Sequence, residues 1–552
     1  MKRQISIGNE DFKDIIESNY LYVDKTDFIS EWWNNADKVT LITRPRRFGK
    51  TLTLSMIETF FSIEYKNNKN IFKNLKVYFD EKIINLQGTY PVIRLSLNGT
   101  ESDNYNTARE NICGVIKKLY LNFKKEINNV LDENELELIK PIYGYMDDTL
   151  ASDAISILML VLYRYYNKRV IVLIDEYDYP MQKAYECGYW EKLVGFLRNI
   201  LTKTLKSNKY LERGLLTGIT LVSKESIFSG LNNIEVNNIL DKKYATSFGF
   251  TDMEVNSLLQ EYNLYNKKQE VISYYNGFKF GNVDIYNPWS ILKFLNKGEI
   301  GNYWINTSGN VLISNLLKYS SNKLKFNFEK LLNGDVVKTK LDLNIVYTDL
   351  TNSEISIYSL FVLSGYLKVI KVLSLEDSLY EIAITNIESL NQFKTLIQDW
   401  FKGDSLELYT TFIDALVDGN VELMNICLSN LLLNLPSYLD MDFTESEKFY
   451  HVFILGLVSN LNNLYYIKSN RESGYGRYDL IMEPKTRDRN AIILEFKVCD
   501  SINSLEKSAK EAINQINRQK YDSDLMERGF NIINIKKYGL AFYKKNVKII
   551  SG

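Results

Sequence analysis

Val39-Thr-Leu-Ile-Thr-Arg-Pro-Arg-Arg-Phe-Gly-Lys-Thr-Leu-Thr-Leu54 is the stretch from which the rest of the chain reads. A short β-branched and aliphatic run, Val39 to Ile42, stops at a bend made by Arg44-Pro45. Gly49-Lys50-Thr51 follows, and then Leu52, Leu54, Met56, Ile57, Phe60 and Phe61 at the spacings of a buried helix. Strand, loop, Gly-Lys-Thr and helix form the layout of a phosphate-binding loop. In such a loop backbone N–H groups and the helix N-terminus face the phosphates, the lysine bridges their oxygens, and the threonine hydroxyl ligates Mg²⁺. The pattern G-x-x-x-x-G-K-[ST] is incomplete, because Arg44 stands where it wants its first glycine. The plainer alternative is a lysine and a threonine that cap a core helix.

A partner motif lies downstream. Arg169-Val-Ile-Val-Leu-Ile-Asp-Glu-Tyr-Asp178 carries five consecutive β-branched or aliphatic residues and then two acids. Such a run reads as a strand buried on both faces, as in a parallel sheet. In P-loop NTPases the first acid, here Asp175, holds Mg²⁺, and a following glutamate, here Glu176, polarises the attacking water; a helix cap at Asp175 is the structural alternative. Gly214 to Thr220 is a further strand, with Thr217 placed either to read a terminal phosphate or to bond within its own sheet. Strands separated by helices, such as Glu191 to Leu205, imply a doubly wound α/β core.

Bulk properties exclude several chemistries. A chain of 552 residues has room for roughly two to four domains. Hydrophobic content of 45% with 24% charged residues is ordinary for a globular protein. The net charge of −1 gives no chain-wide attraction to nucleic acid, so any basic surface is local. Four scattered cysteines without a C-x-x-C argue against zinc ribbons and a disulfide framework, and suit a reducing cytoplasm. No run has the length of a signal peptide core or a membrane span, so neither export nor a membrane partner is expected. The single histidine, His451, makes histidine-zinc hydrolases and Ser-His-Asp triads improbable together. Hydrolysis here would run on carboxylates, lysine and a hard cation.

Beyond residue 440 such a set exists. Tyr475 to Met482 and Ala491 to Val498 read as two strands joined by a charged loop. Residues two apart on a strand share a face, so Glu495 and Lys497 point the same way and Asp479 meets them from the neighbouring strand. Two carboxylates and a lysine suit Mg²⁺ or Mn²⁺, which needs only one or two protein carboxylates beside waters and substrate phosphate. The metal would activate water, and the lysine would orient it or offset developing charge. From Glu495 onward, eleven Lys/Arg stand against seven Asp/Glu, a local excess suited to a polyphosphate backbone. The alternative is an exposed Glu–Lys pair on a strand face.

Several motifs together carry a family resemblance. They are Tyr22-Val-Asp-Lys-Thr26, Arg44-Pro-Arg-Arg-Phe-Gly-Lys-Thr51, Ile174-Asp-Glu-Tyr-Asp178, Thr217-Gly-Ile219, Ser226-Ile-Phe-Ser-Gly-Leu-Asn-Asn233 and Tyr286-Asn-Pro-Trp-Ser290. The chain resembles the AAA-ATPase-like family, prokaryotic P-loop proteins that usually carry a C-terminal PD-(D/E)XK nuclease domain. That family resembles this sequence in replacing the first loop glycine with Arg-Pro, and the likeness is weakest between about 320 and 440. The Asp479…Glu495-x-Lys497 layout resembles the nuclease core, with Tyr478 in place of the usual proline. By the same resemblance Glu447 matches the acid of that fold's first helix. Ala512-Ile-Asn-Gln-Ile516 with Lys520-Tyr521 matches the helix that supplies a glutamine, Gln515, and a phosphate contact.

The expected architecture is an α/β P-loop domain over 1–245, a helical lid over 246–345, a helical connector over 346–440, and a small α/β nuclease-like domain over 441–552. The expected nucleotide contacts are Arg47, Gly49, Lys50, Thr51, Asp175, Glu176 and Thr217, with Thr51 and Asp175 on Mg²⁺. The expected catalytic set is Asp479, Glu495 and Lys497, supported by Glu447 and Gln515, with Asp479 and Glu495 on the metal. ATP and Mg²⁺ or Mn²⁺ are the expected cofactors, and DNA, ahead of RNA, the expected partner; a homo-oligomer stays open. Proline at 45 lacks an N–H donor, so slow or absent ATP hydrolysis is expected; no arginine finger is assigned, Arg198 and Arg213 being candidates only. Two rival accounts remain: a regulatory ATP-binding protein whose C-terminal fold only grips nucleic acid or a partner, and a nuclease whose P-loop domain is purely structural.

Overall fold

The computed structural model describes residues 2–221, 227, 231–304, 316, 322–332, 334–344, 350, 353–399, 405–433, 447–458, 461, 464–473 and 476–552. Half of the Ser226 to Asn233 motif (226 and 228–230) and Tyr475 therefore lie outside the described residues. The chain forms two compact units, Met1–Thr307 with Lys338–Ser389, and Ser308–Val337 with Leu390–Gly552.

In the first unit helix α1 (Asp27–Asn35) precedes strand β1 (Val39–Thr43), and helix α2 (Lys50–Phe61) follows it. Strands β2 (Val92–Ser96), β3 (Val170–Asp175), β4 (Leu211–Gly218) and β5 (Ile234–Asn237) complete a five-stranded sheet ordered β2-β3-β4-β1-β5. Every pairing in it is parallel. All residues of β1 and β3 are buried, which is why both were legible as unbroken apolar runs rather than alternating ones. The order has a direct consequence for function. Because β4 lies between β1 and β3, with Thr43 opposite Gly218 and Ile174 opposite Leu216, the ends of three strands lie side by side. Ligands of open parallel sheets bind at such carboxyl ends.

Residues 246–304 add helices α3 (Asp252–Glu261) and α4 (Pro288–Lys297), but also a three-stranded antiparallel sheet. Its strands are β6 (Phe250–Thr251), β7 (Phe278–Phe280) and β8 (Val283–Tyr286), ordered β6-β8-β7. The sheet is an addition to the helical lid expected here. Gly281 at φ +54° and Asn282 form the two-residue turn between β7 and β8. Tyr275, Phe278, Phe280 and Tyr286 of this region are buried core.

A departure lies at the expected helical connector. After helix α5 (Glu354–Leu363), strands β9 (Leu367–Ser374) and β10 (Leu379–Ile384) pair as an antiparallel hairpin before helix α6 (Ile387–Asp399). Register shifts between Val369 and Lys371 and between Val372 and Ser374 break the period-two alternation that would have marked the strand.

The second unit holds helices α7 (Ser405–Asp418), α8 (Val421–Leu433) and α9 (Glu447–Val458), then β11 (Tyr465–Ser473), β12 (Gly476–Pro484) and β13 (Ala491–Val498). Helix α10 (Leu505–Gln519) precedes β14 (Ile535–Tyr543) and β15 (Asn546–Ser551). The five strands lie in that order across the sheet, antiparallel except for β13 with β14. Leu494 and Phe496 share a core with Tyr450, Phe453 and Ile454 of α9 on one face. Ile481, Ala491 and Ile493 pack with Ile513 and Ile516 of α10 on the other. Among the described residues no helix is long and apolar enough to cross a membrane.

Candidate functional site

The loop after β1 is held from beneath by the residue that breaks the glycine pattern. Arg44 is fully buried, and its backbone N–H donates to the Gly218 carbonyl (3.1 Å). Its guanidinium donates to the carbonyls of Thr43 (2.9 Å), Asn237 (3.1 Å) and Tyr244 (3.4 Å). The rings of Phe280 (4.9 Å) and Phe248 (5.5 Å) cover it. Burial pulls its pKa down to about 10. Arg44 is thus an anchor for the loop, with both terminal nitrogens of its guanidinium bonded to carbonyls inside the protein.

The chain then turns through Arg47 at φ +66° and Gly49 at φ +81°, and α2 begins at Lys50. A Cβ at position 49 would meet open space, so the left-handed backbone, not crowding, is what demands glycine there. Lys50 is buried and donates to the carbonyls of Arg44 (2.9 Å) and Pro45 (2.8 Å). Burial lowers its pKa to about 8 against the opposing pull of Glu176, Asp175 and Asp178. Thr51, half-buried, follows in the first helical turn. Arg47 is exposed, its guanidinium 4.2 Å from the Trp289 ring.

Across from the loop, Asp175 is 2% exposed and accepts the Thr217 hydroxyl (2.6 Å). Thr217 is buried and bonded within the sheet, one of the two roles weighed for it. Glu176 sits at φ +49°, a left-handed backbone that costs a non-glycine residue about 1–3 kcal/mol and recurs at functional sites. Among the described residues its buried Oε2 has no hydrogen-bond partner. Burial and then Asp175 raise its carboxyl to about 7, with Lys50 opposing. The third acid of the motif, Asp178, went unassigned from sequence. It accepts from the N–H groups of Ile219 (3.0 Å) and Thr220 (2.8 Å) and from the Thr220 hydroxyl (2.9 Å). A Cβ at Gly218 would lie 2.6 Å from the Tyr177 ring and 2.7 Å from Asp178 Oδ1, so glycine at the end of β4 is required by the close approach of the segment that follows β3.

Other motifs are structural. Lys25 donates to both Glu254 oxygens and to the Thr246 carbonyl, each at 2.8 Å. Asp24 accepts from Thr26 and from Lys76 N–H. Asn287 caps α4 and donates to the Arg46 carbonyl (3.4 Å). Arg213 lies at the opposite end of β4 from the loop, bonded to the Trp32 carbonyl (2.9 Å) and stacked on Trp33 (4.3 Å). That position removes it as a finger supplied in cis to this site; Arg198 lies on the helix Trp190–Leu205.

The second unit gathers side chains on one sheet face. Leu480 pairs with Leu494, which sets Asp479 beside Glu495. Glu495 is 1% exposed; Gln515 of α10 donates to its Oε1, and Asp479 N–H approaches its Oε2 at 3.4 Å. Lys497 Nζ lies 3.7 Å from Glu495. Asp479 Oδ2 accepts Phe496 N–H (2.7 Å), which locks the two strands at this point. Tyr521 receives a further bond from Gln515 (3.2 Å). Four expected residues thus converge. Glu447 opens α9, and its side chain lies outside the described residues. Among the described residues no group of three or more His, Cys, Asp or Glu is clustered for a metal. The two carboxylates are hard oxygen donors, and among the described residues no His or Cys joins them in a cluster, a donor set suited to Mg²⁺ or Mn²⁺ rather than zinc.

Comparison with known proteins divides the chain in the same way. Residues 6–228 match the family model described as "Predicted AAA-ATPase", and residues 445–552 match that of the PD-(D/E)XK nuclease superfamily. A curated relative from Azotobacter chroococcum mcd 1, "Uncharacterized protein in vnfD 5'region", is 27% identical over 319 residues. That match covers 57% of this chain and 56% of the relative, so the chain spans little more than half the length of the protein it matches. The chain joins an AAA-ATPase-like segment to a C-terminal segment of the PD-(D/E)XK nuclease superfamily, as its motifs implied.

Proposed function

From a chain that joins these two segments, we propose a divalent-metal-dependent nuclease that cleaves DNA phosphodiester bonds under the control of a nucleotide-binding loop. The observation that carries the reading is the convergence of Asp479, Glu495, Lys497 and Gln515 on one sheet face, with Glu495 buried. Asp479 and Glu495 would hold Mg²⁺ or Mn²⁺, which lowers the pKa of a bound water and polarises the phosphoryl oxygen. Lys497 orients that water or offsets charge developing on the phosphorus centre. Gln515 fixes the Glu495 carboxylate and so acts as a positioning residue. In the first unit Lys50 and Thr51 take nucleotide phosphate, and Asp175 holds the Mg²⁺ that accompanies it.

Hydrolysis at the loop is slow in this account. Pro45 supplies no N–H, and the guanidinium of Arg44 is bound beneath the loop rather than open to phosphate. The rival reading, a fold that only grips nucleic acid, draws on the lack of a third clustered acid among the described residues. Plasmid nicking by purified wild type and Glu495→Ala, with Mg²⁺, with Mn²⁺ and with chelator, separates the two. Cutting by wild type alone, abolished by chelator, is the expected result. Equal cutting by both proteins identifies a contaminant, and no cutting of DNA or RNA under either metal hands the site to the gripping reading.

A further inference from the structure

We propose that Glu388 is a positioning residue of the nucleotide loop, acting through Trp304 to set the peptide plane between Arg46 and Arg47. The inference rests on the nucleotide reading of this loop and gives a role to the Tyr286-Asn-Pro-Trp-Ser290 motif, which that reading leaves unused.

The loop has few donors to lose. Pro45 has no N–H, and the Arg44 N–H is bonded to the Gly218 carbonyl (3.1 Å). Backbone donors for phosphate therefore start after Pro45. Left-handed Arg47 and Gly49 give the alternation from which anion-binding nests of N–H groups are built. The rotation of each peptide plane decides where such a nest aims. In a trans peptide the carbonyl of one residue and the N–H of the next point in opposite directions. Fixing the Arg46 carbonyl therefore fixes the Arg47 N–H.

Two side chains hold that carbonyl. It accepts from the Trp304 indole N–H (3.2 Å) and from Asn287 Nδ2 (3.4 Å). Both are held in turn. The Trp304 backbone N–H donates to Glu388 Oε1 (2.6 Å), as does the Tyr303 N–H, and Ser290 Oγ donates to Glu388 Oε2 (2.8 Å). Asn287 accepts the Ser290 N–H (3.2 Å) as the cap of α4, and the Trp289 indole donates to the Tyr303 carbonyl (3.1 Å). Glu388, Asn287 and Ser290 are fully buried. Asn287, Trp289 and Ser290 thus all serve one clamp on the loop.

The chain that opens α6 also grips the loop one residue earlier. Thr385 Oγ1 donates to the Gly365 carbonyl (2.8 Å). Gly365, at φ +86°, packs on Pro45 so closely that a Cβ there would lie 3.0 Å from Pro45 Cγ. Thr385 and Glu388 therefore reach the loop at two consecutive positions, Pro45 and Arg46.

Calorimetry of ATP and of inorganic pyrophosphate binding to the full-length protein tests the assignment. The proteins are wild type, Glu388→Gln, Glu388→Leu, Trp304→Phe and the Glu388→Leu/Trp304→Phe double variant. Glu388→Gln keeps an acceptor for the two N–H groups and should bind both ligands within about threefold of wild type. Glu388→Leu should weaken both by about 10-fold, and Trp304→Phe, which loses only the bond to Arg46, by about 3- to 10-fold. The two ligands should lose by the same factor, because a loop N–H meets phosphate and not the base. The double variant should bind no more weakly than Glu388→Leu alone, since both changes act through one carbonyl. Glu388→Leu also leaves two buried N–H groups unpaired and should lower the melting temperature. Where it does not fold, Ser290→Ala takes its place: it should weaken both ligands by about threefold in wild type and not at all in Trp304→Phe. Wild-type affinity in Trp304→Phe, or losses that multiply in the double variant, overturns the assignment. Failure of wild type to bind either ligand overturns the nucleotide reading, and this assignment with it.

Discussion

The loop of the first unit and the carboxylate face of the second both present a lysine beside acids, yet they are built in opposite ways. In the loop the conformation is backbone: left-handed Arg47 and Gly49, carbonyls that receive Lys50, and a buried arginine as foundation. In the second unit the chemistry sits on strand side chains, whose alternation alone aligns Glu495 with Lys497 and sets Asp479 opposite. One site is made by turning the chain and the other by pairing it. Substitutions should therefore act differently in the two, through folding and affinity in the first and through rate in the second.

The largest expected effect is at the strand site. Glu495→Ala should lower plasmid cleavage by at least about 10³-fold, as loss of a principal electrostatic group does, with the melting temperature of the protein little changed. Lys497→Ala should cost a similar factor yet keep Mn²⁺ binding by calorimetry, since both carboxylates remain. A Lys497→Ala protein that still cleaves at the wild-type rate would remove the lysine from the chemistry. Gln515→Leu should lower cleavage by about 10- to 100-fold, the usual loss for a group that orients a metal ligand.

At the loop the contrast should appear as stability. Arg44→Ala removes a buried cation from three carbonyls and two ring faces, and should destabilise the first unit by about 2–4 kcal/mol. Thermal melting should show the loss, and an unchanged transition would mean that the loop does not need its foundation.

The smallest effect is on pH. Metal-free nucleotide binding should weaken by about tenfold as pH rises from about 7 to about 9. The Glu176 carboxyl, raised to about 7, passes from neutral to anionic over the start of that range. Lys50, lowered to about 8, loses its proton over the rest. Both changes add negative charge where a polyanion binds, so they act in the same direction. Isothermal calorimetry across that range checks the sign, and stronger binding at the alkaline end would contradict it.

These contrasts also explain what the sequence could show. Strands β1 and β3 were legible because burial on both faces leaves unbroken apolar runs. Glu495 and Lys497 were legible because a strand side chain's direction follows from its position modulo two. The hairpin β9–β10 was not, because its register shifts erase that period. Arg44 was read as a missing glycine, since the carbonyls that make it an anchor come from residues 193 and 200 positions away.

The claim that the loop governs the carboxylate face is tested most directly by measuring plasmid cleavage with and without ATP in wild type, Lys50→Ala and Glu495→Ala. Wild-type cleavage should change with ATP, Lys50→Ala should cleave at one rate in both conditions, and Glu495→Ala should be inactive in both. Wild-type cleavage that is indifferent to ATP, or a Lys50→Ala protein that responds to it as wild type does, would contradict the account.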